Sequence, residues 1–482
     1  MNNPAQEKLP NITELLTTGG DSRILLSPET GLNKYGCPPF PEPEVLSYGS
    51  VTASTISAKS FVGVEKFYNR LLDSPGSEAP HIIYARELDR IRAELISLCE
   101  LETIPGLEII ITTSGTDAHL FAAQLVSKKD SPLSVITLEP EETGSGVPAA
   151  LCGKIINAGN AIKIISVYAR KEDGSLRPQA TIDAEIESHA IANIKSGRNV
   201  LLVLTDVSKT GLIFPSLRCV MDLHTRFPDM IDVLVDACQF RLGSQALRAY
   251  LEQDFLVAIT GSKFITGPAF SGALLVPKIL AQKFRAKLLP NELGLYSAAA
   301  DWPKGWDMQN ILPKTANYGL LLRWEAALEE LRAFHALPTS AIKSFLQDFQ
   351  AAICERISGN PAFEPLPVNK LIRQSEDWSS IQTIFPFLLY RKKSNGSREL
   401  LNREETERVY KLMGKDSLHC QIGQPVLCGS RNGIPISALR LCNSARLTCD
   451  AASPQGRGAK TVIKEAMQVL DKAAMLASLE LL

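Results

Sequence analysis

Seven short runs of apolar, mostly β-branched residues lie between residues 107 and 277, spaced so that helices can fit between several of them. Runs that are apolar almost throughout, rather than at alternate positions, are typical of strands covered on both faces by helices. The runs are LEIIITTS (107–114), SVITLEP (134–140), AIKIISVYA (161–169), NVLLVLTDV (199–207), IDVLVDACQ (231–239), FLVAITGS (255–262) and GALLVP (272–277). The pattern predicts an α/β fold with a mostly parallel sheet between helices.

The same pattern indicates how the 482 residues divide into domains, since one hydrophobic core rarely serves a chain of this length. A large α/β domain is expected over residues 61–290. Residues 1–60 combine turn-forming and apolar side chains, and we interpret them as an ordered arm lying on the body or on a neighbouring subunit. The aromatic, turn-rich segment 291–320 would lead to a smaller C-terminal α/β domain at 321–482.

Charge and cysteine content argue against several classes of protein. The formal net charge is -1 and no basic tract occurs, which argues against binding to nucleic acid or to a membrane surface. No apolar run reaches the roughly 18 residues of a membrane span. The ten cysteines follow no zinc-site or disulfide-scaffold spacing, so we expect no metal and a cytoplasmic location with reduced thiols.

Small, polar and charged residues follow five of the predicted strands. In an open α/β sheet, ligands bind at the carboxyl ends of the strands, so these residues are expected to form one site. They occur in SGTDAHL (114–120), ETGSGVP (142–148), DVSKTG (206–211), DACQ (236–239) and TGSK (260–263). Hydroxyls, glycines, the buried-looking carboxylate of Asp236 and the amine of Lys263 predict a site for a phosphorylated ligand with an acidic and a basic partner.

Each of these residues has a physical role in such a site. Ser114, Gly115 and Thr116 precede a predicted helix, whose free N–H groups would face an anion. Asp236 follows a buried-looking strand and therefore needs a cationic or N–H partner. Lys263 is able to form a Schiff base. A nucleotide hydrolase is disfavoured because the full G-x-x-x-x-G-K-[ST] loop is absent, and a binding protein without catalysis stays open.

This set of residues, in this order, resembles the fold-type-I pyridoxal-phosphate (PLP) enzymes. A strand ending in Asp-x-x-Gln, followed by Lys263 before a Thr-Gly-Pro turn, is similar to the class V aminotransferase branch, which includes the cysteine desulfurases. The resemblance covers residues 85–280 well and the C-terminal part loosely. It implies a fold-type-I transferase fold and PLP as the cofactor.

The resemblance also implies roles for individual residues. Lys263 would hold the cofactor, Asp236 would pair with its protonated pyridine nitrogen, and Gln239 would bond its ring oxygen. Ser208 falls where the family has an Asn near that oxygen, and Thr143 is nearest to the position of the family's ring-stacking histidine. The residues implied in phosphate binding are Ser114, Gly115, Thr116, Thr260 and Ser262.

In the C-terminal part, Arg440 matches the arginine that grips the substrate carboxylate, and an arginine fork suits that bidentate contact. Arg446 and Arg431 are competing matches. Cys420 lies in a stretch comparable to that of the desulfurases' mobile nucleophilic cysteine, and the sequence leaves open whether it reacts or packs. In the N-terminal arm, Arg23 is interpreted as structural.

Two further arm stretches, Tyr35 and Thr52–Thr55, are candidates to line the site. The resemblance implies an enzyme that forms an external aldimine with a small amino-acid substrate and processes the quinonoid carbanion. We expect a lyase or transferase that eliminates or replaces a side-chain group, with carbon–carbon bond formation included. An aminotransferase is the first alternative and a cysteine desulfurase or carbon–sulfur lyase the second. The family also implies a homodimer, completed here by segments 1–60 and 291–320.

Overall fold

The structure is a computed structural model that describes residues 9–73, 78–128, 130–154, 162–374, 377–393, 395–415 and 418–479. Its strands, numbered along the chain, are β1 Leu46–Tyr48, β2 Glu108–Thr112, β3 Leu133–Leu138, β4 Lys163–Val167, β5 Asn199–Asp206, β6 Ile213–Phe214, β7 Ile231–Ala237, β8 Leu256–Thr260, β9 Gly272–Val276, β10 Phe363–Pro365, β11 Ile384–Lys392, β12 Arg398–Leu400, β13 Cys420–Arg431 and β14 Ile434–Cys442.

The helices are α1 Ile12–Leu16, α2 Ala58–Leu72, α3 Pro80–Leu98, α4 Gly115–Val126, α5 Val147–Leu151, α6 Gln179–Lys195, α7 Leu217–Arg226, α8 Ser244–Leu251, α9 Lys278–Phe284, α10 Met308–Ile311, α11 Tyr318–His335, α12 Thr339–Gly359, α13 Arg403–Met413, α14 Ala445–Ala452 and α15 Ala459–Ser478. Among the residues described, no helix combines the length and the apolar character needed to cross a membrane.

The seven predicted strands are β2, β3, β4, β5, β7, β8 and β9, and all of them belong to one sheet in the order β2-β9-β8-β7-β5-β3-β4. Neighbours from β8 to β4 run parallel, whereas β9 is antiparallel to both β2 and β8. The exception has a simple cause. Residues 261–271 join β8 to β9, and this connection is shorter than the dozen or more residues that a parallel crossover needs.

This topology brings the predicted site residues together. Because β2 and β8 are both antiparallel to β9, they are parallel to each other and to β7, β5 and β3. Their carboxyl ends therefore share one edge of the sheet. The strands themselves are buried almost throughout, β3, β5 and β8 at every position. The predicted mostly parallel sheet between helices is confirmed.

A second sheet has the order β1-β13-β14-β11-β10, with β12 on β11. Strand β1 comes from the N-terminal arm and pairs in parallel with β13, so that Leu46 lies opposite Cys420. Part of the arm is thus integrated into the C-terminal sheet of the same chain. The predicted domain limits at 60, 290 and 320 stay predictions.

Helix α11 connects the arm to the loop that carries the candidate lysine. Its Arg323 is fully buried, and no ion pair of this side chain with a carboxylate occurs in the described ranges. Instead, Nε donates to Phe270 O at 2.9 Å, and the terminal nitrogens donate to Thr18 O at 2.6 Å and to Gly19 O at 3.0 Å. One guanidinium therefore fixes the loop 261–271 against the arm, because carbonyl groups satisfy its donors.

Candidate active site

A cavity of about 550 Å³ lies at the carboxyl edge of the large sheet, between the arm and the second sheet. Nearly all the predicted site residues line it, namely Ser114, Gly115, Thr116, Thr143, Asp236, Gln239, Thr260, Ser262, Lys263 and Arg440. Ser208 is the predicted residue that does not. A cavity of this size lined by convergent polar groups is suited to a small-molecule ligand.

The start of α4 forms one wall. Ser114 caps the helix, and its hydroxyl accepts the N–H of Asp117 at 3.2 Å. A Cβ on Gly115 would lie 2.6 Å from the sulfur of Cys238 and 3.1 Å from Thr260 Cγ2, so a larger residue would collide here. The 12-residue helix thus presents its first N–H groups to the cavity, the arrangement that favours an anion.

Asp236 lies at the end of β7 and is buried against His119, a residue that the sequence analysis did not select. His119 Nε2 is 3.3 Å from Asp236 Oδ2, while Nδ1 lies 2.7 Å from Gly115 O, which accepts its proton. The Nε2 contact is an ion-pair contact rather than a well-aligned hydrogen bond. One more donor, the N–H of Cys238, reaches Asp236 Oδ1 at 3.1 Å.

The electrostatics of Asp236 follow from these neighbours. Burial alone would raise the pKa of the carboxyl, but the facing imidazole of His119 and the ammonium of Lys263 lower it well below its usual range. Asp236 raises the pKa of His119 in return, against the effect of burial. Asp236 is therefore a permanent buried anion at the cavity wall.

The sulfur of Cys238 lies within 4.8 Å of the ligand atoms of His119 and Asp236, and the three residue types together are able to hold a metal. Burial, followed by the charge of Asp236, raises the pKa of the Cys238 thiol well above its usual value. The sulfur is consequently a neutral thiol, whereas metals prefer a thiolate. The expectation of a site without metal stays a prediction.

Lys263 occupies the loop 261–271 between β8 and β9. Gly261 N–H donates to Ser271 O and Gly267 N–H to Gly261 O, each at 2.8 Å, which closes the loop on itself. Thr266 has φ +65°, a left-handed conformation uncommon for a residue with a Cβ. The loop is thereby held in a fixed shape, with Lys263 and Ser262 facing the cavity.

Gln239 lines the cavity and carries an unsatisfied acceptor. Its Nε2 donates to Val51 O of the arm at 3.0 Å, and its buried Oε1 has no hydrogen-bond partner among the described residues. Buried polar atoms are rarely left without a partner, so this oxygen is available to a donor on a bound ligand.

Ser208 and Thr143 were both predicted to lie near the cofactor ring, but they differ in their exposure to the cavity. Ser208 is buried and does not line the cavity itself; its hydroxyl donates at 2.6 Å to Oε2 of Glu142, a residue of the cavity wall. The next residue, Lys209, lines the cavity instead. Thr143 is part of the wall, and its hydroxyl donates to Glu139 O at 3.1 Å. Contact of either residue with a cofactor stays a prediction.

Among the three candidate arginines, Arg440 is the one that lines the cavity. Its terminal nitrogens donate to Lys209 O at 3.2 Å and to Gln424 O, while Nε is buried without a partner in the described part of the chain. Arg446 instead bonds Glu330 at 2.8 Å, and Arg431 bonds Glu364 at 2.6 Å. These ion pairs give the two competing arginines structural roles.

Residues of the arm complete the cavity. Arg23, Tyr35 and Thr52 line it, although Arg23 is also paired with Asp21 at 2.5 Å. Cys420 does not line it. That thiol is buried next to β1, and burial raises its pKa.

Several solved structures share the fold of this chain. No protein-family profile and no curated protein sequence matches the chain. The cysteine desulfurase CsdA from Escherichia coli is similar in structure, with a TM-score of 0.56 and 14% identity over 90% of this chain and 95% of that one. A C-DES mutant with glycine covalently linked to its PLP cofactor is also similar in structure. Its TM-score is 0.57 and its sequence identity 14%, over 90% of this chain and 97% of that one.

A complex of the cystine C-S lyase C-DES with its product cysteine persulfide gives a TM-score of 0.57 and 15% identity, over 89% of this chain and 97% of that one. All three likenesses span nearly the whole of each chain, so they include both sheets and the connection between them. The chain thus has the fold of the cysteine desulfurase and cystine lyase structures, and the predicted fold-type-I class is confirmed.

Proposed function

We propose that this chain is a PLP-dependent enzyme that acts on a small amino-acid substrate. The observation that carries the proposal is the placement of Lys263 and Asp236 on one cavity wall, where the permanent anion of Asp236 lies beside the start of α4. An amine that forms Schiff bases, a buried carboxylate and an anion-binding helix end are the three groups that PLP requires.

The residues present fit this cofactor. A Cβ on Gly115 would collide with Cys238, so the glycine lets the start of α4 pack closely there, and Gly115 and Thr116 of that helix start line the cavity where a phosphate could bind the first N–H groups. Thr116 and Ser262 add hydroxyls, and the unpartnered oxygen of Gln239 gives a polar contact for the ring substituents. When bound, PLP supplies an electron sink for negative charge at the substrate α-carbon.

The chain's own residues then perform defined tasks. Asp236 would hold a proton on the ring nitrogen, and His119 keeps the pKa of Asp236 low so that its carboxyl is charged. Lys263 would hold the cofactor and would move the proton at the substrate α-carbon as general base and acid. Arg440 grips the substrate carboxylate with its two-pronged guanidinium.

For the reaction class, we propose a lyase or transferase that eliminates or replaces a side-chain group, carbon–carbon bond formation included. An aminotransferase is the alternative, since it needs the same lysine and carboxylate. A desulfurase that depends on Cys420 is supported least, because this thiol is buried away from the cavity and burial raises its pKa, whereas a nucleophile needs the thiolate.

We also propose a symmetric homodimer and a cytoplasmic location. In the described part of the two predicted interface segments, 9–60 and 291–320, Leu25 is 60% and Leu295 81% exposed, and their burial against a second subunit would be favourable. All ten cysteines are free, which fits a reducing compartment. Light scattering on the PLP-loaded protein tests the dimer, and a fully active monomer would contradict it.

The proposed chemistry is tested with Asp236→Asn and with exchange of the α-hydrogen in D₂O, a readout common to every reaction class above. The common amino acids serve as probes, and NMR follows the loss of the α-proton. The wild-type protein is expected to exchange at least one of them. Asp236→Asn should keep PLP bound yet exchange at least about a hundredfold more slowly, because the neutral amide no longer holds the ring proton. Exchange at the wild-type rate would refute the role of Asp236.

A further inference from the structure

The cavity carries more positive charge than one substrate carboxylate requires. The cationic side chains that line it are Arg23, Lys209, Lys263, Arg403 and Arg440. Two carboxylates in the lining already have cationic partners. Glu142 pairs with Arg170 at 3.1 Å and Asp236 with His119 at 3.3 Å.

The proposed function assigns no ligand contact to Lys209, one of the cations that line the cavity. It follows β5 directly, its N–H donates to Glu142 O at 2.7 Å and its Nζ donates to Pro140 O at 2.9 Å. No carboxylate lies within 4 Å of this Nζ in the described ranges, although Glu142 and Glu141 of the cavity wall are near enough to raise its pKa. Burial and the charges of Arg440 and Lys263 outweigh that effect and lower the pKa to about 8.

Arg440 is next to Lys209 and equally lacks a counter-ion. It is 2% exposed, it has no carboxylate within 4 Å in the part of the chain that the structure describes, and its Nε has no partner. One of its terminal nitrogens donates to the carbonyl of Lys209, so the guanidinium of Arg440 is held against the backbone of Lys209. Partly or fully buried charges without a counter-ion cost free energy, which a bound anion would offset.

The proposed function accounts for only one of these two charges. The substrate α-carboxylate would neutralise Arg440, and Lys263 would be joined to the cofactor, so Lys209 keeps an unmatched charge at the cavity wall. Arg403 at the start of α13 adds an exposed cation to the lining, which favours entry of anions.

We propose that the substrate is an amino acid whose side chain bears a second anionic group, a carboxylate or a phosphate, and that Lys209 binds this group. The inference rests on the proposed function, since it assigns Arg440 to the α-carboxylate. Lys209 would thus determine the specificity of the enzyme for amino acids with an anionic side chain.

The test compares ligands that differ in one charge. Dissociation constants are measured by calorimetry on the PLP-loaded protein for three pairs, L-aspartate and L-asparagine, L-glutamate and L-glutamine, and O-phospho-L-serine and L-serine. In at least one pair the anionic member should bind more than about tenfold more tightly, the effect of one charged contact in a closed site. Lys209→Met should bring this ratio close to one and leave the neutral member within about threefold of wild type.

Three further variants complete the design. Lys209→Gln repeats the test in case methionine perturbs the wall, and Lys278→Met removes an exposed lysine as a control that should keep the preference. Arg440→Met should weaken both members of a pair alike. The proposal is overturned if no anionic member binds, if every neutral member binds as tightly, or if the preference survives in both Lys209 variants. Failure of the proposed function is distinct, because the protein would then not load PLP at all.

Discussion

Replacing His119 by leucine is expected to make the stability of the protein depend on its cofactor. In the cofactor-free protein, His119 is the cationic side chain nearest to Asp236, at 3.3 Å, and both side chains are buried. His119→Leu leaves the carboxylate with the N–H of Cys238 and the more distant charge of Lys263. Removal of one partner from a buried ion pair costs about 3–5 kcal/mol.

This cost converts to a measurable change in the unfolding temperature. An unfolding entropy of about 2.1 cal/mol/K per residue gives about 1 kcal/mol/K for 482 residues. The unfolding temperature of the cofactor-free variant should therefore lie about 3–5 °C below that of the wild type. If Asp236 has its proposed role, the ring nitrogen would be a second partner for it in the PLP-loaded protein, and the difference should shrink to half or less.

Differential scanning calorimetry of both proteins, with and without PLP, gives the four temperatures needed. His224→Leu is the matched control, since His224 lies on α7 and bonds Ile231 O rather than a cavity residue. An equal loss of unfolding temperature in the cofactor-free and loaded forms would refute the reasoning, because it would mean that Asp236 does not face the cofactor.

The remaining predictions concern a buried acid, the substrate arginine and the disputed cysteine. Burial, with the charge of Glu142 added, raises the pKa of Glu139 to about 8, so the folded state keeps a proton that the unfolded state loses between about pH 4.5 and 8. The free energy of unfolding therefore falls through this window as the pH rises. Glu139→Gln should unfold at a higher temperature than the wild type at pH 8 but not at pH 4.5. Equal differences at both pH values would contradict a raised pKa of Glu139. Arg440→Lys should weaken amino-acid binding more than tenfold in titrations, with Arg446→Lys as the control, and the reverse order would place the carboxylate elsewhere. Cys420→Ala should keep α-hydrogen exchange within about twofold, since the thiol is buried outside the cavity lining; abolished exchange would make the thiol catalytic.

The strands and the shared edge of the site were predictable because their signals are local. Continuous apolar runs mark buried strands, and parallel strands bring their carboxyl ends to one edge. Residues near the carboxyl end of a strand, such as Asp236 and Lys263, could therefore be placed in one site without any knowledge of side-chain contacts.

The missed residues depend on geometry that a local pattern does not contain. His119 faces Asp236 because α4 begins at Gly115 and places position 119 one turn further on. Whether Ser208 or Lys209 faces the cavity is decided by the course of a turn, in which Glu142 binds the serine. Strand β1 has three residues, and its partner strand lies in the C-terminal part of the chain, so no local signal identified the pairing.

The central claim, that Lys263 carries PLP, is tested most directly by locating the cofactor on the chain. The purified protein is incubated with PLP, reduced with borohydride, digested and mapped by mass spectrometry. One modified peptide is expected, the one that contains Lys263, with the label retained in Lys209→Met and lost in Lys263→Ala. Label on the Lys209 peptide, or no covalent label in the wild-type protein, would contradict it.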